Sequence, residues 1–521
     1  MLGKRSKQKG LFEADNLYLD LVGGQSFYGF LASQRGQFFR DEEFADLYCA
    51  NNGRNSVPPS LLATVLLLQA YDRVSDEEAK EKADFDLRWK VALGIDIKDR
   101  PFAKSTLQLF RAQLILHDRV RAVFVKSLSF ARQTGYLKKH KIKAVVDTTY
   151  ILGRGAVKDT YNLLADGIIK LVGALASLAG EKAEDWAAAR GLSRYFGSSL
   201  KGEVAVDWDD KAARRKFLQG VVADADRLLE GARQVRERCP EGSAEDQRVV
   251  EAAQLLGQLL LQDVERRADG AELKQGVSPD RIPSVHDPEM RHGRKSKAKR
   301  FDGHKTGVAV EPESQLITAA TVLAGNAPDN SEALQLVEET EENTGLTVEE
   351  TIGDCAFGDG GTRQEFAEAD RKLVAKVPGR PNLDHFPKED FAIDLELGAC
   401  TCPGGQDTRR LMPATQRGEG PWQRYFEFDG AVCNICSLRP RCVAAAEGKG
   451  RRVSLHPQEA LLQEARAFQR SEAFEPYRKM RQAAEHRLAR LVALGIRQAR
   501  YFGRAKTLFQ VLLAATVANL T

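Results

Sequence analysis

One change of rhythm constrains this chain more than any other feature. Through roughly the first 135 residues, apolar side chains recur at helical spacing. Then "IKAVVDTTYILG", from residue 142, is dense in β-branched residues and reads as a buried strand. The strand is expected to end by delivering an acid, Asp147. A buried carboxylate without a partner is costly, so an acid placed there caps a turn, pairs with an arginine or holds a metal.

The flanking segments set the architecture. Pro58 and Pro59 suit a first helical turn, followed by Leu61, Leu62, Val65, Leu66 and Leu68. Ser75 with Glu78 forms a capping box for a helix carrying Ala79, Ala83 and Leu87 and ending near Gly94. A third helix carries Leu107, Phe110 and Leu114. Residues 1–135 thus read as a helical module, which a helix-turn-helix arrangement would suit for binding DNA. Helical spacing resumes over 157–280, reaching through "LLLQDVERR" to about residue 275. Residues 304–326 read as a hairpin turning at 311–314, and a helix capped by Asn330 or Ser331 follows. "TIGDCAF" and "KLVAKVP" read as strands, with Asp354 ending the first. Residues 395–455, rich in Cys, Gly and Pro, break the pattern as an insertion with little core of its own. A long helix over "PYRKMRQAAEHRLARLVAL" stops at Gly495. The expectation is a multidomain α+β protein. Its α/β core would be assembled from 136–156, 281–394 and 456–521, with insertions at 157–280 and 395–455.

At 521 residues the chain exceeds what one core serves. Its net charge of +4 hides an uneven distribution. Lys4, Arg5, Lys7 and Lys9 open it, and Arg291, Arg294, Lys295, Lys297, Lys299 and Arg300 follow one another without an intervening acid. Such patches suit a polyanion, with the histidines His286, His292 and His304 as phosphate contacts or bystanders. No run reaches the roughly 18 apolar residues of a membrane span. Glu13, Asp15 and Asp20 stand where a signal peptide would be apolar, so a cytoplasmic location and reduced or metal-bound cysteines are expected.

Three acids are singled out by position. If the strands of Asp147 and Asp354 are neighbours, the two converge at one sheet end, and a helix crossing it adds Glu485. Grouped carboxylates bind Mg²⁺ or Mn²⁺, and two such ions activate a hydroxyl and stabilise a leaving oxygen at phosphorus. Each acid also has a plain reading. Asp147 and Asp354 would bond their own turns, and Glu485 would pair on the surface with Arg481, worth about 0.3–0.5 kcal/mol.

Five cysteines fall between residues 400 and 442. "CNIC" is a two-residue knuckle, and Cys402, Cys433, Cys436 and Cys442 make a structural Zn²⁺ site, leaving Cys400 spare. The alternative is a set of free thiols. The spacings match no ferredoxin-type run. Cys49, Cys239 and Cys355 are isolated.

Nearly the whole chain resembles the DDE transposases of bacterial insertion sequences. "VPPSLLATVLLLQAY" and "KSTLQLFRAQL" are similar to their N-terminal helices. "AVVDTTYILGRGAVKDTYNLL" and "TIGDCAFGDG" are similar to the two aspartate motifs, and "YRKMRQAAEHRLARLVALGIRQARYFG" to the glutamate helix. The resemblance implies an RNase H-like core in which Asp147, Asp354 and Glu485 bind two Mg²⁺ or Mn²⁺ ions. It further implies that Tyr477 and Arg481 contact DNA and that Lys305 and Asn326 line the site. The tyrosine lies one residue further from the arginine than the family signature has it, and Val492 stands where a basic residue is expected. The implied partners are double-stranded DNA, as element ends and target, and a second copy of the chain in the synapse. A catalytically silent relative that only binds DNA is the rival reading, and a nuclease that cuts without joining is another.

Overall fold

The structure, a computed structural model, describes residues 1–5, 12–50, 53–117, 119–236, 243–296, 298–379, 385–413 and 424–521. Lys7, Lys9, Cys239 and Lys297 lie outside the described residues.

The N-terminal third is helical. Helix α1 (Pro59–Asp72) starts at the expected proline and is buried along nearly its whole length, as its unbroken apolar sequence requires. The Ser75–Glu78 capping box forms. The helix it opens stops at Phe85, however, and does not run on to Gly94. The Asp86 carboxylate accepts from the Arg88 N–H and starts a second helix, Leu87–Leu93, which Gly94 ends in the left-handed region at φ 58°. After Lys104–Leu116, helix α2 (Ala122–Gln133) leads into the sheet.

Six strands form one mixed sheet: β1 (Lys141–Leu152), β2 (Arg291–Arg294), β3 (Arg300–Val310), β4 (Ile317–Ala324), β5 (Thr347–Ile352) and β6 (Leu373–Val374). β1 runs antiparallel to β3 and parallel to β5, and β5 runs parallel to β6. The other edge of β3 is shared, its start pairing with β2 and the rest with β4. The hairpin expected at 304–326 is β3–β4. Two expectations are corrected. β1 does not stop at Asp147 but runs on to Leu152, because β3 stays paired with it to the end. β5 stops at Ile352, opposite Val145, so Asp147 lies just beyond the point where β1 loses one neighbour. Asp354 follows two residues after β5 ends.

Between β1 and β2 stand α3 (Thr160–Ala179), α4 (Lys211–Arg236) and α5 (Ala244–Asp263), with a hydrophobic core of their own that includes Leu164, Leu171, Val221 and Leu256. α3 is long and apolar enough to cross a membrane by length and composition, and half of it is buried inside the protein. The helical spacing does not persist to residue 275. Val264–Arg267 and Gly270–Leu273 pair as a hairpin, its turn closed by Gly270 at φ 133°. Helix α6 (Ala333–Thr344) joins β4 to β5 without a side-chain cap. Asn330 is drawn away to Asp359 and Thr362 instead.

The long C-terminal helix is broken at Arg481 into α7 (Glu475–Met480) and α8 (Gln482–Leu491), and Gly495, at φ 95°, ends its continuation. Helix α9 (Arg504–Leu520) is buried among α1, α2 and β4. The N-terminal helices and the sheet therefore share one continuous core, with Leu66, Phe124, Val308, Ile317 and Leu512 among its members. Residues 395–455 do have a core of their own, contrary to expectation. Phe391, Phe426, Phe428 and Val453 pack with Cys400 beneath two small three-stranded sheets.

Candidate functional site

The interrupted edge of β1 creates the site. Asp147 is largely buried, and desolvation pushes its carboxyl up to about 6, with the neighbouring Asp354 adding to the rise. The Thr148 N–H, donating to Oδ1 at 2.7 Å, and the nearby cations Lys295 and Arg481 oppose it. Asp354 caps a single 3₁₀ turn, accepting from the Ala356 N–H at 2.7 Å. The plain turn-capping bonds thus exist for both aspartates, and each occupies one carboxylate oxygen. The price of bringing two acids together falls on Asp147.

Glu485 lies in the first turn of α8, its side chain 59 % exposed and 3.7 Å from Arg481. Arg481 thus reaches both Asp147 and Glu485. Among the described residues, no three His, Cys, Asp or Glu side chains are grouped closely enough to hold a metal ion, and Asp147, Asp354 and Glu485 are no exception.

Tyr477 does not point into this space. Its hydroxyl donates to both oxygens of Glu350 at 2.8 and 2.9 Å, and the Lys143 ammonium lies 4.9 Å from the ring centroid. Lys143 and Glu350 are register partners on β1 and β5, bridged at 2.6 Å, and Lys372 completes the cluster. These donors hold the Glu350 carboxyl down at about 2 against its desolvation. The cluster ties α7 to the two strands that carry the aspartates. Glu350 and Lys143 were not singled out from the sequence, since only the parallel register of β1 and β5 brings them together.

Lys305 pairs with Asp329 at 2.8 Å and donates to the Ala327 carbonyl. It sits across from Tyr150, whereas Val308 is the residue across from Asp147. Asn326 is half-buried and donates to Asp280 and the Pro279 carbonyl. The basic run 291–300 forms β2 and the turn into β3. Arg294 and Arg300 are exposed partners at its mouth, and Lys295 and Lys299 close the turn through a backbone bond of 2.9 Å. His292 bonds Asp302, and His304 is fully buried against Asp287, so both are taken up by carboxylates of the fold. Tyr150, also unremarked in the sequence, carries Arg497 3.8 Å from its ring centroid and Lys299 at 5.1 Å.

Cys402, Cys433, Cys436 and Cys442 line one small cavity of about 30 Å³. Cys402 Sγ accepts from the Gln406 N–H at 3.4 Å. Burial raises the Cys442 thiol. Cys400 is buried in the small core instead, where desolvation pushes its thiol up to about 12.

With this geometry in place, two family models match the chain. One, described as a transposase DDE domain, covers residues 401–521, and one described as a transposase domain (DUF772) covers residues 32–113. The first spans the thiol cavity, Tyr477, Arg481 and Glu485, and the second spans α1 and the capped helix after it. No curated protein and no solved structure matches. Both matches are to transposase families, and together they are consistent with a DDE transposase of the insertion-sequence type.

Proposed function

We propose that the protein is an active DNA transposase that binds the terminal inverted repeats of its element, cleaves at the ends and joins the 3′-hydroxyls to target DNA. The observation that carries this reading is Asp147. It is a desolvated carboxylate on β1, acted on by Asp354 just past the end of the adjacent parallel strand β5, and among the described residues its one direct hydrogen bond comes from the Thr148 N–H. An acid whose proton affinity is raised by burial and by a neighbouring carboxylate suits a divalent cation, which would reverse that cost. The donor set is all oxygen, as Mg²⁺ or Mn²⁺ prefers, and Asp147, Asp354 and Glu485 are the residues that would hold it. When bound, such ions polarise the phosphodiester and activate the attacking hydroxyl. Glu485, now 3.7 Å from Arg481, would complete the set, which would leave Arg481 to meet charge developing on the phosphate, while the Tyr477–Glu350 cluster fixes the helix that carries both.

The strand order, three antiparallel strands followed by two parallel ones, supports an RNase H-like core with its insertion after β1. The basic turn at 294–300 supplies phosphate contacts, and the N-terminal helices take the repeats. Two ends call for two copies of the chain. The four thiols around one cavity fit a structural Zn²⁺ by donor type, with the thiolates moving inward on binding.

The test uses purified protein, labelled end DNA and Mg²⁺ or Mn²⁺. Cleavage and joining are expected, and Asp147→Asn or Asp354→Asn abolishes both while end binding persists. Joining that survives these substitutions refutes the site. A wild type that binds ends but never cuts is the silent relative, and one that cuts without joining is a nuclease.

A further inference from the structure

Three residues beyond Asp147 on the same strand, roughly 10 Å along it, Tyr150 stands among cations. The Arg497 guanidinium lies 3.8 Å from its ring centroid and the Lys299 ammonium 5.1 Å. Arg497 is fixed in place, donating to Thr149 Oγ1 at 3.2 Å and to the Tyr150 carbonyl. Lys299 foremost, with Arg497 and Lys295, lowers the proton affinity of the phenol. Lys295 also acts on Asp147 and so links the two groups electrostatically, although Asp147 and Tyr150, three residues apart on one strand, lie on opposite faces. A tight turn holds the two lysines, with the Lys295 N–H donating to the Lys299 carbonyl and the Lys299 N–H to Ser296 Oγ.

Several cations elsewhere in the fold are neutralised, as Arg111 is by Asp76, Arg121 by Glu339, Arg281 by Asp263 and Arg371 by Glu341, whereas Arg363, Arg451 and Arg487 donate to backbone carbonyls. Among the described residues, none of Lys295, Lys299 and Arg497 is ion-paired with a carboxylate. Three unneutralised cations converging on one phenol make an unbalanced positive site, which a single anion with several acceptor oxygens would balance.

We propose that Tyr150, Lys295, Lys299 and Arg497 form one seat for a DNA backbone phosphate flanking the phosphate that is cut. This rests on the reading that DNA occupies the carboxylate site. The seat sets register: one phosphate gripped about 10 Å from Asp147 fixes which neighbouring phosphodiester faces the acids.

The test measures how binding of a labelled mixed-sequence DNA duplex depends on salt. Each phosphate neutralised contributes about 0.9 to the slope of log K against log salt. If all three cations serve one phosphate, the triple variant Lys295→Ala/Lys299→Ala/Arg497→Ala loses only about 0.9 of slope. Single variants weaken binding with little change in slope, and Tyr150→Phe does the same. No change in the triple variant, or a loss near 2.7 from three separate contacts, overturns the seat. Should removal of Arg497 disturb folding, amine labelling of the wild type decides instead. DNA should protect Lys295 and Lys299 together, and full reactivity of either in the complex overturns the proposal. A wild type that binds no duplex at any salt sinks the transposase reading and the seat with it. Normal binding with an unchanged triple-variant slope sinks the seat alone.

Discussion

The carboxylates and the thiols, the two sets of side chains proposed to hold metals, are held in opposite ways. Asp147, Asp354 and Glu485 come from segments far apart in sequence, and the largest core of the molecule holds them, with Val145, Ile352 and Leu488 beside them in it. Cys402, Cys433, Cys436 and Cys442 come from one short stretch over a core of few side chains. Both sets lose solvation in folding: Asp147 rises to about 6, and Cys442 is raised as well. What differs is what else holds the region together. The acids rest on the large core that the sheet shares with the N-terminal helices, whereas the cysteine region rests on a small core of its own around Phe426. An ion at the acids is thus expected to exchange and serve chemistry, and one at the thiols to stay and serve the fold.

The largest effect tests the second half of that contrast. Cys433→Ser/Cys436→Ser should release the zinc and leave the segment around residues 391–455 open to protease, while the rest of the chain stays resistant. Structural zinc supplies about 10–16 kcal/mol in small domains, more than the core around Phe426 replaces. Metal analysis with limited proteolysis reads this out. A double variant that stays zinc-loaded or protease-resistant would erase the distinction.

Next comes Asp147→Asn, with effects of opposite sign on activity and stability. Joining should fall by at least about 10³-fold, the scale of losing a principal stabiliser of developing charge. Stability without metal at pH 7.5 should rise, because the wild type there bears an ionised, desolvated carboxylate. The rise from 3.8 to about 6 corresponds to about 3 kcal/mol. The native state binds the extra proton, so wild-type stability falls as pH climbs from 4 to 6 and levels off above. Mg²⁺ should offset the loss and Asp147→Asn should remove it. Urea midpoints at pH 4.5 and 7.5 decide. A wild-type profile that is flat without metal would mean that Asp147 is not strained, and the contrast would fail.

What was legible in the sequence was local. The Pro59 start, the Ser75–Glu78 box, the β3–β4 hairpin and the stop at Gly495 each depend on residues a few positions apart, so one chain suffices to read them. Asp86 as a second cap was missed because the apolar spacing runs straight through it. The site was legible only in part. That β1 and β5 each carry an acid was legible, but that the two strands are neighbours was only a condition, which the pairing meets. That Asp147 lies mid-strand depends on β5 stopping at Ile352 while β3 continues, a difference between partners far away in sequence. The same non-local register hides Lys143 with Glu350, and it hides Tyr150 beneath Arg497. Asn330 failed as a cap because Asp359 and Thr362 compete for its amide.

Tyr477→Phe tests whether the helix carrying Arg481 and Glu485 is held by its link to the sheet. The ring stays packed on Phe468 and Phe474, and Glu350 keeps Lys143 and Lys372, so the stability cost should be about 1 kcal/mol. Joining should fall further than that, with end binding unchanged and more Mg²⁺ needed for half-maximal rate. Equal losses in joining and in end binding would return Tyr477 to a direct DNA contact.

The smallest effect separates Cys400 from its neighbours. It is fully buried in the small core and does not line the cavity, so Cys400→Ala removes one packed sulfur and no ligand. A loss of about 1 kcal/mol follows from the void, with zinc content unchanged. Cys402→Ala removes a more exposed side chain, which by packing alone would matter less, yet it should lower zinc content and destabilise more. If the order is reversed, packing rather than coordination governs this region, and thiols and carboxylates differ only in where they sit.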